Sequence, residues 1–167
     1  MGEVFRPMAP ELARIATDLK RTLESFHGAV DELAHELMRM LGVNHTDLRA
    51  LLLILLKGEK ATTPGLLADR LGLTAAGTTI VLNRLEKLSY VTRSLHPTDH
   101  RRVIVLGTEL AARRLSELVS PLLDQGGKML LSYNAAEIAL IVGFLSRTEE
   151  LQQAHLKQMR ELDPYPQ

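Results

Sequence analysis

Between residues 10 and 41, apolar side chains fall at Leu12, Ile15, Leu19, Leu23, Phe26, Val30, Leu33, Leu37 and Met40. The spacings alternate between three and four, which places the whole set on one narrow stripe of a helix. Pro10 suits the first turn, where its missing N–H costs nothing, and Gly42 suits the stop. A continuous helix of this length is about 45 Å long. A stripe that long and narrow predicts packing against another helix outside a compact core.

The pattern then shortens. Asn44 or Thr46 can cap a helix over 46–57, and its run LLLILL (Leu51–Leu56) is apolar on most sides, which predicts a central position. Lys57-Gly58-Glu59 breaks it. TTPGLLADRLG (62–72) opens with a threonine cap and Pro64 in the first turn, and Gly72 ends it. Thr74 can cap the next helix, 75–89, with Leu82, Leu85 and Leu88 facing inward. Short helix, tight turn, second helix is the helix-turn-helix pattern. Apolar runs near 90–95 and 102–107 follow at once and predict a β-hairpin, completing a winged helix-turn-helix. Two more helices are expected, over about 108–131, bent at Pro121 and loosened at Gly126-Gly127, and over about 135–162, capped by Asn134. The fold class is mainly α with a small β-hairpin wing.

Charge changes this picture only locally. The 167 residues carry 20 Lys/Arg and 20 Asp/Glu. Residues 57–103 hold eight basic and four acidic side chains, a net of +4, and the segment on either side has a net of −2. The excess sits on the winged segment, where a nucleic-acid partner would need it. With no cysteine, disulfides and thiolate metal sites are excluded. MGEVFRPMAP lacks a signal-peptide pattern and LLLILL is too short to span a bilayer, so the expectation is a cytoplasmic protein without membrane attachment.

The candidate chemistry is recognition of double-stranded DNA. The recognition-helix candidates are Thr74, Ala75, Ala76, Thr78, Thr79, Asn83 and Arg84. Threonine and alanine meet thymine methyls, and asparagine pairs with adenine or a phosphate. Gly77 permits close approach. No Lys or Arg occurs in the first two turns, so direct guanine readout there is poor. Thr62 and Thr63, at the start of the first helix of the motif, are further candidates. The wing candidates are Arg93, His96, Asp99, His100, Arg101 and Arg102. Asp99 is placed to brace Arg101, and His96 and His100 would add positive charge at low pH.

The region from about Thr46 to Thr108 resembles the multiple-antibiotic-resistance regulator (MarR) family of bacterial transcription factors. TDLRALLLI, TPGLLADRLGLTAAGTTIVLNRLEKLSYVTRS and HPTDHRRVIVLGT carry the resemblance. Asp99-His100-Arg101 matches the family's Asp-x-Arg wing. Two positions depart from the pattern: Gly107-Thr108 stands where Leu-Thr is usual, and Ile80 stands where a polar or basic residue is common. The resemblance implies a homodimer whose helical dimerisation region comes from both termini (1–45 and 108–167), flanking a DNA-binding lobe at 46–107. Two recognition helices roughly 34 Å apart would read a pseudo-palindrome. It also implies a repressor whose DNA affinity responds to a small aromatic or phenolic ligand, with Phe26, Val30 and Leu51 as pocket candidates.

Other classes find little support. His27 and His35 are eight residues apart, the wrong spacing to clamp one ion on a helix, so no metal and no cofactor is expected. No phosphate-binding glycine loop, HExxH or nucleophile elbow is present, so the chain is not expected to be an enzyme. The alternative is an all-α protein-interaction module on a winged scaffold with weak or lost DNA binding.

Overall fold

A computed structural model describes residues 9–56, 62–96, 99 and 102–162. Among the described residues, six helices and one hairpin follow in the order α1 (Pro10–Leu41), α2 (His45–Leu56), α3 (Pro64–Leu71), α4 (Ala75–Lys87), β1 (Val91–Leu95), β2 (Val103–Gly107), α5 (Glu109–Leu130) and α6 (Ala135–Glu161). They divide into two compact units, Met1–Leu118 and Val119–Gln167.

Local chemistry sets the boundaries. Gly42 and Gly72 close α1 and α3 in the left-handed conformation, with φ of 68° and 66°, where a side chain would clash with the backbone. Asn44, and not Thr46, caps α2: its Oδ1 accepts from the Asp47 N–H at 2.9 Å. The Thr63 hydroxyl caps α3 and that of Thr74 caps α4. Asn134 and Glu137 form a reciprocal capping box at α6. α5 stays helical through Pro121, Gly126 and Gly127, against the expectation of a loosened segment.

The core of the first unit is built around α2. Leu48, Ala50, Leu51 and Ile54 are buried there, against Leu67 of α3, Val81, Leu82 and Leu85 of α4, and Val91 and Val105 of the hairpin. Leu88, expected on the inner face of α4, is instead its exposed C-cap. The helix ends at Lys87, and Ser89 takes a left-handed φ of 59° to turn the chain into β1. The C-terminal end of α1 joins this core through Ala34, Leu37, Met38 and Leu41. That set is rotated from the predicted stripe, and Leu33 and Met40 of the stripe stay exposed.

β1 and β2 pair antiparallel with Val91 opposite Gly107 and Leu95 opposite Val103. Thr62 adds a one-residue third strand, exchanging two backbone hydrogen bonds with Val105 at 3.1 and 2.7 Å. Tyr90 is buried at the base of the wing. Its hydroxyl donates to the Leu41 carbonyl at the end of α1 and accepts from Arg114 of α5. Thr108 caps α5 while its hydroxyl donates to the Ser89 carbonyl at 2.7 Å. In the second unit, Leu140, Ile141, Val142, Phe144 and Leu145 of α6 are all exposed, and no residue of α6 is buried.

Packing accounts for a glycine at 107. A Cβ there would lie 2.5 Å from Cδ2 of Leu55 on α2. Replacing it with leucine should therefore lower stability by about 1–3 kcal/mol, and Leu55→Ala in the same chain should recover part of the loss. Equal denaturant midpoints for the single and double variants would contradict this close approach. Ser89→Gly should act the other way and raise stability by about 0.5–1 kcal/mol, because glycine occupies the left-handed region without the Cβ clash. A lowered midpoint would refute that strain.

Candidate nucleic-acid interface

The sequence of α3 and α4 dictates what their motif can present. Gly72 turns the chain between them, and Thr74 caps α4 by accepting from the Gly77 N–H at 3.1 Å. Val81, Leu82 and Leu85 bury the inner face of α4. Thr74, Ala75, Ala76, Thr79, Ile80, Asn83, Arg84 and Lys87 are exposed on the other side. Ile80 is 54% exposed, an unusual place for a large apolar side chain on a helix of this kind.

Two of the expected contact residues are not on this surface. Thr78 is buried, with its hydroxyl donating to the Thr74 carbonyl at 3.0 Å. It falls one helical turn from Leu82 and so shares the core face. Thr62 is buried by its pairing with β2. Thr63 is half-buried and occupied as the cap of α3.

Two expected DNA arginines are committed within the protein. Arg84 grips Asp47 at the start of α2: Nε donates to Oδ1 and Oδ2 at 3.2 and 2.9 Å, and Nη2 donates to Oδ1 at 2.6 Å. The Asp47 side chain is 4% exposed and that of Arg84 43%. The hydrogen bonds to Asp47 raise the guanidinium further above its ordinary value, so Arg84 stays charged at any working pH. Arg93 of β1 lies back on α4. Its Nη2 donates to the Asn83 Oδ1 at 2.6 Å, and its Nε sits 3.6 Å from Glu86 Oε2. Arg93 thus braces the wing strand to the recognition helix.

Along the wing, the His96 N–H donates to the Arg102 carbonyl at 2.8 Å, and the Arg102 N–H donates to the Asp99 carbonyl at 2.9 Å. Asp99 and Arg102 are exposed and His96 is half-buried. His100 and Arg101 lie outside the described residues. The pocket candidates do not converge within one chain. Leu51 is fully buried in the lobe core, whereas Phe26 and Val30 are exposed on α1. Phe26 lines a shallow groove on α1 itself, with Arg21, Thr22, Ser25 and Ala29. His27 and His35 each bond through Nδ1 to a backbone carbonyl one turn back, Leu23 and Asp31 respectively.

Sequence reasoning missed Asp47. The signal was present: Asp47, Leu51 and Ile54 share the i, i+4, i+7 face of α2, so a carboxylate on that face had to meet a cation inside.

Residues 41–102 match the sequence model of the MarR family. The matched segment runs from the end of α1 through the helix-turn-helix into the wing and is less than half of the chain. Over 152 residues it is 28% identical to the uncharacterised HTH-type transcriptional regulator YcgE of Bacillus subtilis (strain 168), covering 90% of this chain and 95% of that one. Its fold is similar to that of a MarR family protein from Bacillus stearothermophilus, with TM-score 0.60, 19% identity, and coverage of 88% and 99% of the two chains. It is similar also to MepR of S. aureus in complex with DNA, with TM-score 0.58, 13% identity, and coverage of 80% and 98%. In this chain α4 is held in place by the two arginine braces.

Asp47→Ala should lower stability by about 1–3 kcal/mol, the range for a hydrogen bond to a charged group, with solvent screening of half-exposed Arg84 favouring the lower end. Chemical denaturation followed by circular dichroism measures it. An unchanged midpoint would show that the pair contributes nothing to the lobe.

Proposed function

We propose that the chain is a dimeric, cytoplasmic, DNA-binding transcriptional repressor that reads a pseudo-palindromic operator. One observation carries this reading. The second helix of a helix-turn-helix is pinned from behind by Asp47–Arg84 and Arg93–Asn83, while its Ala75-to-Ile80 face stays bare. A helix held that firmly, with nothing of its own chain on the outer face, is suited to enter a major groove. The wing follows it directly, and Arg101 and Arg102 supply cations for phosphate or minor-groove contact.

The dimer rests on exposed apolar surface. Leu12, Ile15, Phe26 and Val30 on α1 and Leu140, Phe144, Leu145 and Leu156 on α6 are each at least 41% exposed. Apolar surface of that extent on a protein destined for water calls for a partner, and a second copy is the partner that resemblance to the family implies. In the dimer, Phe26 and Val30 would gain the opposing wall that a small aromatic or phenolic effector needs. Effector binding would then shift the population between lobe spacings that fit DNA and spacings that do not.

A salt titration tests the regulator reading. Binding to the DNA upstream of the chain's own coding sequence should exceed binding to random DNA of equal length, and it should fall steeply with salt. Arg101→Ala and Arg102→Ala should each weaken binding to every sequence and reduce the log–log salt slope by about 1. Equal, weak binding to both DNAs, unaffected by either substitution, would favour a protein-interaction module on the winged scaffold. Sedimentation of the full chain should give a dimer, and Leu140→Asp with Ile15→Asp should dissociate it. A wild-type monomer at micromolar concentration would remove the dimer from the proposal.

A further inference from the structure

Much of the hydrogen-bonding capacity on the outer face of α4 is turned back into the protein. The Thr74 hydroxyl oxygen is used on the Gly77 N–H. The Thr79 hydroxyl donates to the Ala75 carbonyl at 3.0 Å, which spends its proton on the helix and leaves its methyl outward. Arg84 is held by Asp47. Asn83 is held by Arg93, and arginine has only donors, so the atom facing it must be the carbonyl oxygen. A bidentate adenine contact needs that oxygen and the amide N–H together. With the oxygen turned back toward β1, Asn83 presents its N–H groups alone. What the helix does present is carbon: the methyls of Ala75, Ala76 and Thr79, and Ile80 at 54% exposure.

We infer that α4 reads its half-site through thymine C5-methyl groups, with Ile80 and Thr79 as the specificity-determining residues, and that its preferred DNA carries thymine at the positions facing them. This rests on the DNA-regulator reading above. The thymine methyl is the one apolar feature on any base-pair edge in the major groove. A methyl-faced helix gains by covering it, and Ile80 and Thr79 find no methyl to cover on a guanine edge, whose acceptors would lose water against those side chains. The donor-only Asn83 can serve thymine O4 or a guanine acceptor alike, so the choice between them rests on the methyls. The same arrangement explains why Ile80 can stand where the family commonly has a polar or basic residue.

The test uses the full chain and a duplex library with a randomised core. Selected sites should carry thymine in each half-site. Replacing those thymines by deoxyuridine removes only the methyl and keeps every hydrogen-bonding group. Each replacement should weaken binding about 3- to 5-fold, the effect of uncovering one methyl-sized apolar group. Ile80→Ala, at an exposed position that should not disturb folding, should bind thymine and uracil sites with nearly equal affinity. Specific sites whose affinity is indifferent to uracil, or whose consensus is centred on G·C pairs, would overturn the methyl readout and leave the regulator reading standing. A folded dimer that enriches no sequence would overturn both.

Discussion

The Asp47 carboxylate, buried at the start of α2, is the constraint on which the winged lobe depends. A charge taken out of water is costly unless paired and hydrogen-bonded, and here three hydrogen bonds from Arg84 meet it. The first turn of α2 helps, because the helix N-terminus favours negative charge. The geometry follows from the cost. Since a nearly fully buried carboxylate cannot be left alone, the last turns of α4 must return to the first turn of α2 in every folded molecule. The recognition helix is therefore oriented by an electrostatic requirement as well as by the leucines under it.

The same economy shapes the wing. Arg93 uses its guanidinium on Asn83 and Glu86, so the strand leading to the wing tip is fixed to the helix it follows. Thr62 fixes β2 from the other side through its backbone. Orientation is gained and cation supply is lost: Arg84 and Arg93 belong to the basic excess of the middle segment, yet both serve the protein's own acids and amides. In the proposed DNA reading, that leaves non-specific attraction to the wing tip and to exposed Arg70 and Lys87. Neutral overall charge fits this division, because a protein that relies on placed contacts has less need of a broad positive field.

Much of this architecture is legible in the sequence where the governing physics is local. Threonine and asparagine caps act within three residues, and Gly42 and Gly72 act on their own φ, so the starts and stops of α2, α3, α4 and α6 can be read within a residue or two. Periodicity alone fails at Leu88, because it carries no information about where Ser89 will reverse the chain. It also misplaces the buried face over the last turns of α1, where packing selects Ala34, Met38 and Leu41 over Leu33 and Met40. The pairings across the lobe are harder still. Asp47 and Arg84 are 37 residues apart, and nothing near Arg84 distinguishes a buried partner from a phosphate. Thr62 and Thr78 look like surface threonines in sequence, and only the third strand and the helix face remove them from solvent.

The two terminal helices complete the argument because they do not complete themselves. α1 is anchored to the lobe only by its last two turns, and its preceding stripe is apolar and uncovered. Helical propensity alone holds such a segment weakly in water, since most helical stability in proteins comes from packing an apolar face. α6 is in the same position, with no buried residue over its 27. A chain that spends this much of its length on unpacked apolar helix suits the two-copy assembly proposed above. The Tyr90 hydroxyl then gains a role beyond the lobe. By joining the Leu41 carbonyl at the end of α1 to Arg114 of α5, it links the base of the wing to both elements that leave the lobe.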